Sequence, residues 1–386
     1  MSKIKRKICI ITGTRAEYGL LKPVMMAVKN SKTLELFLMV TGMHLSEEFG
    51  KTIELIEKDG FKISYKVKMN PKKDNAESMA KSIGRGIIGI AESFRKTKPD
   101  ITVVLGDRIE ALAGAIASAY INIPVAHIHG GDVNKAGLDE LARHAITKMS
   151  HIHFPATKKS MERIIRMGED RQHVFLTGAP GLDSILKEPV IPKSELARKI
   201  NASLEGPFLL LLQHSVTTQI GNARAQIRET LAAIEELKIA TLIIYPNSDA
   251  GGRAIIEEIE KKRNPPFVRI FKNLPHDLYL GLLKYASVLV GNSSSGIIEA
   301  PSYRLPVVNI GIRQEGRQRS TNIIDAPHDK KAIARAIRKA LYDKEFRTQV
   351  KRCRNPYGDG KAGARMAKIL SKIKINHKLL QKRITY

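Results

Sequence analysis

Short apolar runs rich in β-branched residues alternate with longer amphipathic stretches along nearly the whole chain. That alternation is the pattern of parallel sheets whose faces are covered by helices. The runs read as strands over 7–12 (KICIIT), 35–41, 101–105 (ITVVL), 124–128 (PVAHI), 152–154, 174–177, 208–213 (FLLLLQ), 241–245, 267–271, 287–290 and 306–310. Helical spacing fills the intervals over 19–30, 46–59, 76–97, 108–120, 137–149, 158–167, 221–237, 251–262, 275–284, 295–303 and 329–343. Two series of βα units flank the weakly patterned stretch GLDSILKEPVIPKSE (181–195), whose two prolines suit a linker. The expectation is an α/β chain of two doubly wound, Rossmann-like domains, residues 1–185 and 200–360, facing a cleft. A length of 386 residues gives each domain enough apolar material for its own core.

The chain carries 65 Lys and Arg against 38 Asp and Glu, a net charge of +27. Such an excess invites a nucleic-acid reading, because phosphate neutralisation drives non-specific binding. Position argues otherwise: from Lys330 to Tyr386 there are 18 basic residues and three acidic ones, on segments such as AIARAIRKAL whose apolar stripe leaves the charges outside. No helix-turn-helix, zinc-finger or RRM signature accompanies them, and the chain has no Trp to stack on bases. Dedicated nucleic-acid binding is therefore not expected. Two cysteines, Cys9 and Cys353, make no disulfide framework and no zinc motif, which fits a reducing compartment. The apolar run at 8–12 is too short for a secretion signal or a membrane span, so a cytoplasmic protein without membrane attachment is expected.

The groups able to do chemistry fall at strand ends. ITGTRAEYG (11–19) is a glycine turn opening a helix, where free N–H groups and Arg15 suit an anion; an ordinary turn with a surface arginine would look the same. VVLGDRIEAL (103–112) places Asp107 at the next such turn, as an acid or base or as a helix cap. PVAHIHGGDVNKAGLDELARHAITK (124–148) puts His127 and His129 on one face of a strand, then Asp132 after two glycines. Asp139 and Arg143 share a helix face and could pair, with Glu140 and His144 beside them. A metal on the HxH would need further ligands at later strand ends, and none are arrayed there; so many ionisable groups at one strand end favour function over packing. LLLLQHSVTTQ (209–219) ends a strand at His214, and YPNSDAGG (245–252) is a further glycine turn. VLVGNSSSGIIEAPSYRLPVVNIGIRQEGRQRS (288–320) opens a helix with Ser293 and Ser294 as phosphate donors, offers Glu299 to a ribose diol, and adds Arg313, Arg317 and Arg319 beside the next strand.

With these blocks in order (GTRAEYG, GDRIEA, HIHGGDV, LDELARHAITKMSHIHF, TGAPGLD, QHSVTT, YPNSDAG, GNSSSGIIEAP, NIGIRQEGR and NPYGDGKA), the sequence resembles the hydrolysing UDP-N-acetylglucosamine 2-epimerases of sialic-acid-type sugar biosynthesis over almost its whole length. The resemblance implies a GT-B-like pair of domains with a C-terminal helix, about 362–386, crossing back to the first, and a homo-oligomer, dimer or tetramer. It implies UDP-binding roles for Arg15, Arg108, His214, Ser293, Ser294, Glu299 and Arg313. For the sugar side and catalysis it implies Asp107, His129, Asp132, Asp139, Glu140, Arg143 and His214. His129 stands where the animal enzyme and the non-hydrolysing bacterial epimerases carry Glu, which leaves the C2 base open among Asp107, His129, Asp132 and Glu140.

The implied reaction has two steps: loss of the C2 proton with departure of UDP to give a glycal, then addition of water at C1 and a proton at C2, releasing free N-acetylmannosamine. No NAD, metal or other cofactor is required, and no GxGxxG is present. GTRAEY and QHSVTT resemble the hydrolysing branch. The alternatives are hydrolytic 2-epimerisation of UDP-N,N'-diacetylbacillosamine, non-hydrolysing epimerisation of UDP-N-acetylglucosamine, and a GT-B glycosyltransferase, against which HIHGGD and DELARH weigh.

Overall fold

Strands buried on both faces read as near-continuous apolar runs, as FLLLL (208–212) and ITVVL (101–105) do here. In a computed structural model, which describes residues 5–47, 52–70, 76–133, 138–187, 189–246, 251–262 and 265–385, the chain divides into two compact units. The first comprises 1–132, 138–184 and 357–386; the second 133–137 and 185–356.

The first unit holds β1 (Arg6–Thr12), β2 (Leu34–Thr41), β3 (Ile63–Val67), β4 (Ile101–Leu105), β5 (Val125–Ile128) and β6 (Ile152–Phe154), all parallel, in the order β3-β2-β1-β4-β5-β6. The second holds β7 (Phe208–Leu212), β8 (Ala240–Ile244), β9 (Val268–Phe271), β10 (Val288–Gly291), β11 (Val307–Ile310) and β12 (Ile323–Ala326), also parallel, in the order β12-β11-β10-β7-β8-β9. Counted within each unit, the two orders are the same doubly wound arrangement, reversing direction at β1/β4 and at β7/β10. Alternate residues of β1 feed opposite layers: Ile8 and Ile10 join Leu21, Val24 and Leu38 on one face, while Cys9 and Ile11 join Val104 and Ala113 on the other. In the second unit Leu209 and Leu211 pack with Ile227, Val290 and Ile337.

The α/β expectation holds, with local differences that have physical causes. Two edge strands, β3 and β12, escaped the sequence reading because each is covered on one side only and interleaves polar residues such as Lys66 and Asp325. The strand expected at 174–177 contributes a single bridge, His153 to Val174. Of the helix expected over 46–59, the described residues show Ile53–Lys58, preceded by a 3₁₀ turn at Gly42–Leu45. The helix expected at 295–303 is α-helical only over Ser295–Ile298 and then 3₁₀ over Ala300–Tyr303, since Pro301 has no N–H to continue the ladder. The stretch expected to be a linker contains a helix at Gly181–Lys187 and enters another at Lys193–Ile200, where Pro192 stands at the N-cap.

The Ala362–Lys372 helix lies in the first unit, with Met366 and Leu370 in the core beside Leu21 and Val24. Its first N–H groups have no intrahelical acceptor, and the Asp183 carboxylate takes two of them, from Ala362 N and Gly363 N, each at 2.8 Å. Further along the sequence, the Lys330–Tyr342 helix buries Ile333, Ile337 and Leu341 and leaves Lys331, Arg335, Arg338 and Lys339 exposed, which is where part of the basic excess goes. Among the described residues no helix is long and apolar enough to cross a membrane.

Asp183 is 1% exposed, so its removal strands two buried donors. Asp183→Ala should lower the unfolding free energy by about 2 kcal/mol or more, the scale of charge-assisted bonds lost in the interior; urea denaturation measures it.

Candidate active site

Doubly wound sheets bind ligands at the carboxyl ends of their strands, above all where the strand order reverses. In the first unit β1 runs into Gly13, Thr14 and Arg15. Thr14 caps the Arg15–Lys29 helix by accepting from Glu17 N at 3.3 Å, and the Glu17 carboxyl group returns to accept from Gly13 N at 2.7 Å. This capping box leaves Arg15 exposed in the first turn. Burial, reinforced by the neighbouring Glu110, raises Glu17 to about 8.

Across the switch point β4 ends at Leu105, and Asp107 pairs with Arg143 while Arg108 pairs with Glu110 at 3.3 Å. On β5, His127 Nε2 lies 2.7 Å from Gly106 O and Nδ1 lies 3.1 Å from Thr147 Oγ1. A carbonyl only accepts, so Nε2 carries the proton and Nδ1 accepts from the threonine. Burial pushes this imidazole down to about 3, which keeps it neutral. His129 does not pair with it. Just past β5 the His129 backbone turns left-handed, φ 62°, a conformation costing roughly 1 kcal/mol or more for a residue with a side chain. Its ring meets Asp132, Nδ1 to Oδ2 at 2.9 Å, and Ser160 Oγ donates to the other Asp132 oxygen at 2.6 Å.

Arg143, 4% exposed on the Leu138–Met149 helix, also donates to Asp132 O at 3.0 Å, so one guanidinium ties the ends of β4 and β5 together. Glu140 faces His144 Nε2 at 3.4 Å, one turn away on the same helix. Asp139 belongs to that helix, but its side chain lies outside the described residues, and with it the expected Asp139–Arg143 pair. With a carboxylate holding Nδ1, Nε2 is the ring atom of His129 left to exchange a proton, the arrangement of an oriented base. Among the described residues no group of three His, Cys, Asp or Glu is placed to hold a metal ion.

In the second unit the switch point is built on Asn292. Its Oδ1 accepts from His214 N at 2.7 Å and its Nδ2 donates to His214 O at 2.9 Å, clasping the chain after β7 to the chain after β10. Its carbonyl accepts from Arg313 Nη1 at 3.3 Å and from Gln314 Nε2 at 2.8 Å. Gly291, φ 125°, permits this closeness: a Cβ there would lie 2.1 Å from Leu212 O. Ser293, Ser294 and the turn Ser295–Ile298 follow directly, so His214, Ser293, Ser294 and Arg313 gather around one strand end. Glu299 ends that turn beside half-buried Tyr279, whose enclosed phenol is pushed well up by burial and by the Glu299 charge. Arg319 pairs with Asp325.

The family model described as UDP-N-acetylglucosamine 2-epimerase matches residues 26–371. The chain belongs to that family. A Legionella pneumophila relative, UDP-N,N'-diacetylbacillosamine 2-epimerase (hydrolyzing), is 39% identical over 98% of this chain and 98% of its own. A Campylobacter jejuni relative, GDP/UDP-N,N'-diacetylbacillosamine 2-epimerase (hydrolyzing), is 37% identical over 83% of this chain and 84% of its own. In fold, this epimerase-family chain is similar to the UDP-GlcNAc 2-epimerase of Neisseria meningitidis bound to UDP-GlcNAc, with a TM-score of 0.82 at 19% identity, covering 95% of this chain and 100% of that one.

Residues that hold these strand ends together with little or no signal of their own in the sequence are Asn292, Gln314, Ser160, Glu17 and Glu110. Asn292 precedes the serines in the GNSSSG block and could have been read there; Ser160 is 28 residues from Asp132 and carries no local signal. His127 gives a pH prediction. Its folded value lies below the ordinary one, so the unfolded chain takes up the proton first and stability falls as pH drops from about 6.5 toward 3. His127→Gln removes that contribution. The stability gap between wild type and variant should therefore narrow between pH 7 and pH 5, by up to about 1.4 kcal/mol per pH unit below 6.5, in urea titrations.

Proposed function

We propose that the chain is a hydrolysing 2-epimerase of a UDP-linked 2-acetamido sugar, and that UDP-N,N'-diacetylbacillosamine is its substrate ahead of UDP-N-acetylglucosamine. The observation that carries the reaction class is the His129–Asp132 dyad at the end of β5 beside the Arg143–Asp107 pair at the end of β4. Inversion at C2 by elimination and hydration handles protons on two faces of the sugar, and this set offers two separately held ionisable groups. The sequence resemblance puts UDP-N-acetylglucosamine first. The names of the Legionella and Campylobacter relatives, at 39% and 37% identity, support the diacetyl sugar instead. UDP-N-acetylglucosamine, the name of the family and the ligand of the Neisseria structure, is the second reading.

In the first step His129, oriented by Asp132, takes the C2 proton as the C1–O bond to UDP breaks, leaving a glycal with a C1=C2 double bond. C2–H is a weak acid, so departure of the diphosphate must carry much of the barrier. Ser293, Ser294, His214 and Arg313, with Arg15 and Arg108, are assigned to the developing charge on UDP, and Glu299 to the ribose hydroxyls. In the second step water adds at C1, and the proton it loses, relayed through Asp107, reaches C2 on the face opposite to the one deprotonated, releasing the free 2-epimeric sugar. Asp139 and Glu140 are assigned to the sugar side. A cytoplasmic homo-oligomer, dimer or tetramer, completes the proposal.

Incubation of the protein with each UDP-sugar in deuterated water, followed by NMR, tests it: free 2-epimeric sugar carrying deuterium at C2, together with UDP, is the expected product. Intact UDP-sugar epimerised at C2 would overturn the hydrolytic assignment, and faster consumption of UDP-N-acetylglucosamine would reverse the order of substrates. Asp107→Asn and His129→Asn should each lower kcat by about 10²- to 10⁴-fold, the scale of a lost proton-transfer group, with UDP affinity retained in calorimetry.

A further inference from the structure

We propose that Lys382, near the C-terminus, is a positioning residue for the Asp107–Arg143 pair, acting by fastening the last turn of the Leu138–Met149 helix; the proposal rests on the hydrolysing 2-epimerase reading. The Lys382 ammonium sits where that helix ends, donating to Thr147 O at 3.2 Å, Lys148 O at 2.5 Å and Ser150 O at 2.7 Å. A cation there satisfies carbonyls left over by the helix and meets the negative end of its dipole. A fourth partner is Glu169 Oε2 at 2.6 Å; Glu169 is 1% exposed and also holds His153 Nε2 at 3.0 Å and Lys148 Nζ at 2.7 Å.

The tail that carries Lys382 is itself anchored. Leu379 is buried in the first unit's core, Asn376 Oδ1 caps the His377–Leu380 turn at 3.0 Å, and Thr385 N donates to Gly168 O at 3.2 Å. From the fastened turn, contacts run without a break to the strand ends. Thr147 Oγ1 donates to His127, His127 donates to Gly106 O next to Asp107, and Arg143 lies one turn back on the same helix. A helix free to shift at its end would move both Arg143 and Thr147.

Among the described residues the titratable groups around Lys382 are Glu169 and Asp170, Lys148 from the helix, and His151, His153 and His173 around the same hollow, with His377, Lys378 and Arg383 on its own segment. Burial, opposed by Glu169, brings Lys382 down to about 8. Its clasp is charged below that value and weakens as pH rises through it.

The test compares wild type, Lys382→Met and Lys382→Arg as full chains: kcat and KM across the alkaline range with the UDP-sugar that the wild type consumes, and backbone hydrogen exchange over residues 138–149. Lys382→Met should lose about tenfold or more in kcat, on the scale of a small misplacement of catalytic groups, with KM changed less than about twofold and faster exchange in the last helical turn. Lys382→Arg, charged throughout, should recover kcat and carry activity to higher pH than the wild type. A Met variant with wild-type kcat, or one losing kcat while the helix exchanges as before, overturns the proposal. Should Lys382→Met fail to fold, an Arg variant whose alkaline limb stays at the wild-type position overturns it. If the wild type consumes no UDP-sugar, the functional reading falls by itself, and unchanged exchange in Lys382→Met would then dispose of the clasp as well.

Discussion

One buried cation organises the first switch point. Taking a guanidinium out of water costs several kcal/mol, and the cost is offset only by close opposite charge and well-placed acceptors. Arg143 has both, the Asp107 carboxylate and the Asp132 carbonyl, and they come from the ends of two adjacent strands. Asp107 and Asp132 are therefore set against each other through the same side chain. Asp132 is in turn held at both carboxylate oxygens, by His129 and by Ser160. That multiple fixation is what keeps His129 in its left-handed backbone, and an imidazole so held needs little reorganisation before it moves a proton.

The second unit repeats the strand order but solves the same local problem with neutral groups. Asn292 uses both halves of its amide on the backbone of His214, so donor and acceptor are matched and no buried charge is introduced. Its carbonyl takes one donor from the Arg313 cation and one from the Gln314 amide. An anionic ligand gains from such a turn, where a charged scaffold like Asp107–Arg143 would have consumed the cation. The two switch points thus differ in chemistry: ionisable groups coupled in pairs in the first unit, an amide clasp with Arg313 and Gln314 on its carbonyl in the second.

Much of this was legible in the sequence because the fold writes it locally. A mostly apolar strand that gives way to a polar or glycine turn before the next helix marks a strand end, and Asp107, His129, Asp132, His214, Ser293 and Ser294 all stand just past such ends. Edge strands β3 and β12 were not legible, since one-sided burial lets lysine and aspartate into the run. Nor was the clasp of Asn292, the Ser160 contact or the docking of Lys382, because each depends on residues brought together by topology across 28 to more than 200 positions. The pairing of Asp139 with Arg143 expected from helix spacing lies outside the described residues; what spacing does not convey is that Arg143 reaches two strand ends. The choice of sugar left no local pattern at all; it enters only through similarity to named relatives.

The turn after β1 shows how a carboxyl group can sit beside a candidate anion site without opposing it. Gly13 is pressed from two sides, by Glu17 bonded to its N–H and by Glu110, whose Cγ would lie 2.4 Å from a Cβ at that position. Two buried carboxylates so close would repel each other and any phosphate nearby. Burial and the Glu110 charge raise Glu17 to about 8, so at neutral pH it is held protonated, and Arg108 balances Glu110. Among the described residues no carboxylate pairs with Arg15, exposed at the start of a helix whose dipole has the same sign. The glutamate of GTRAE thus serves the backbone of the turn as a neutral cap, and the arginine is left with its charge available to a ligand.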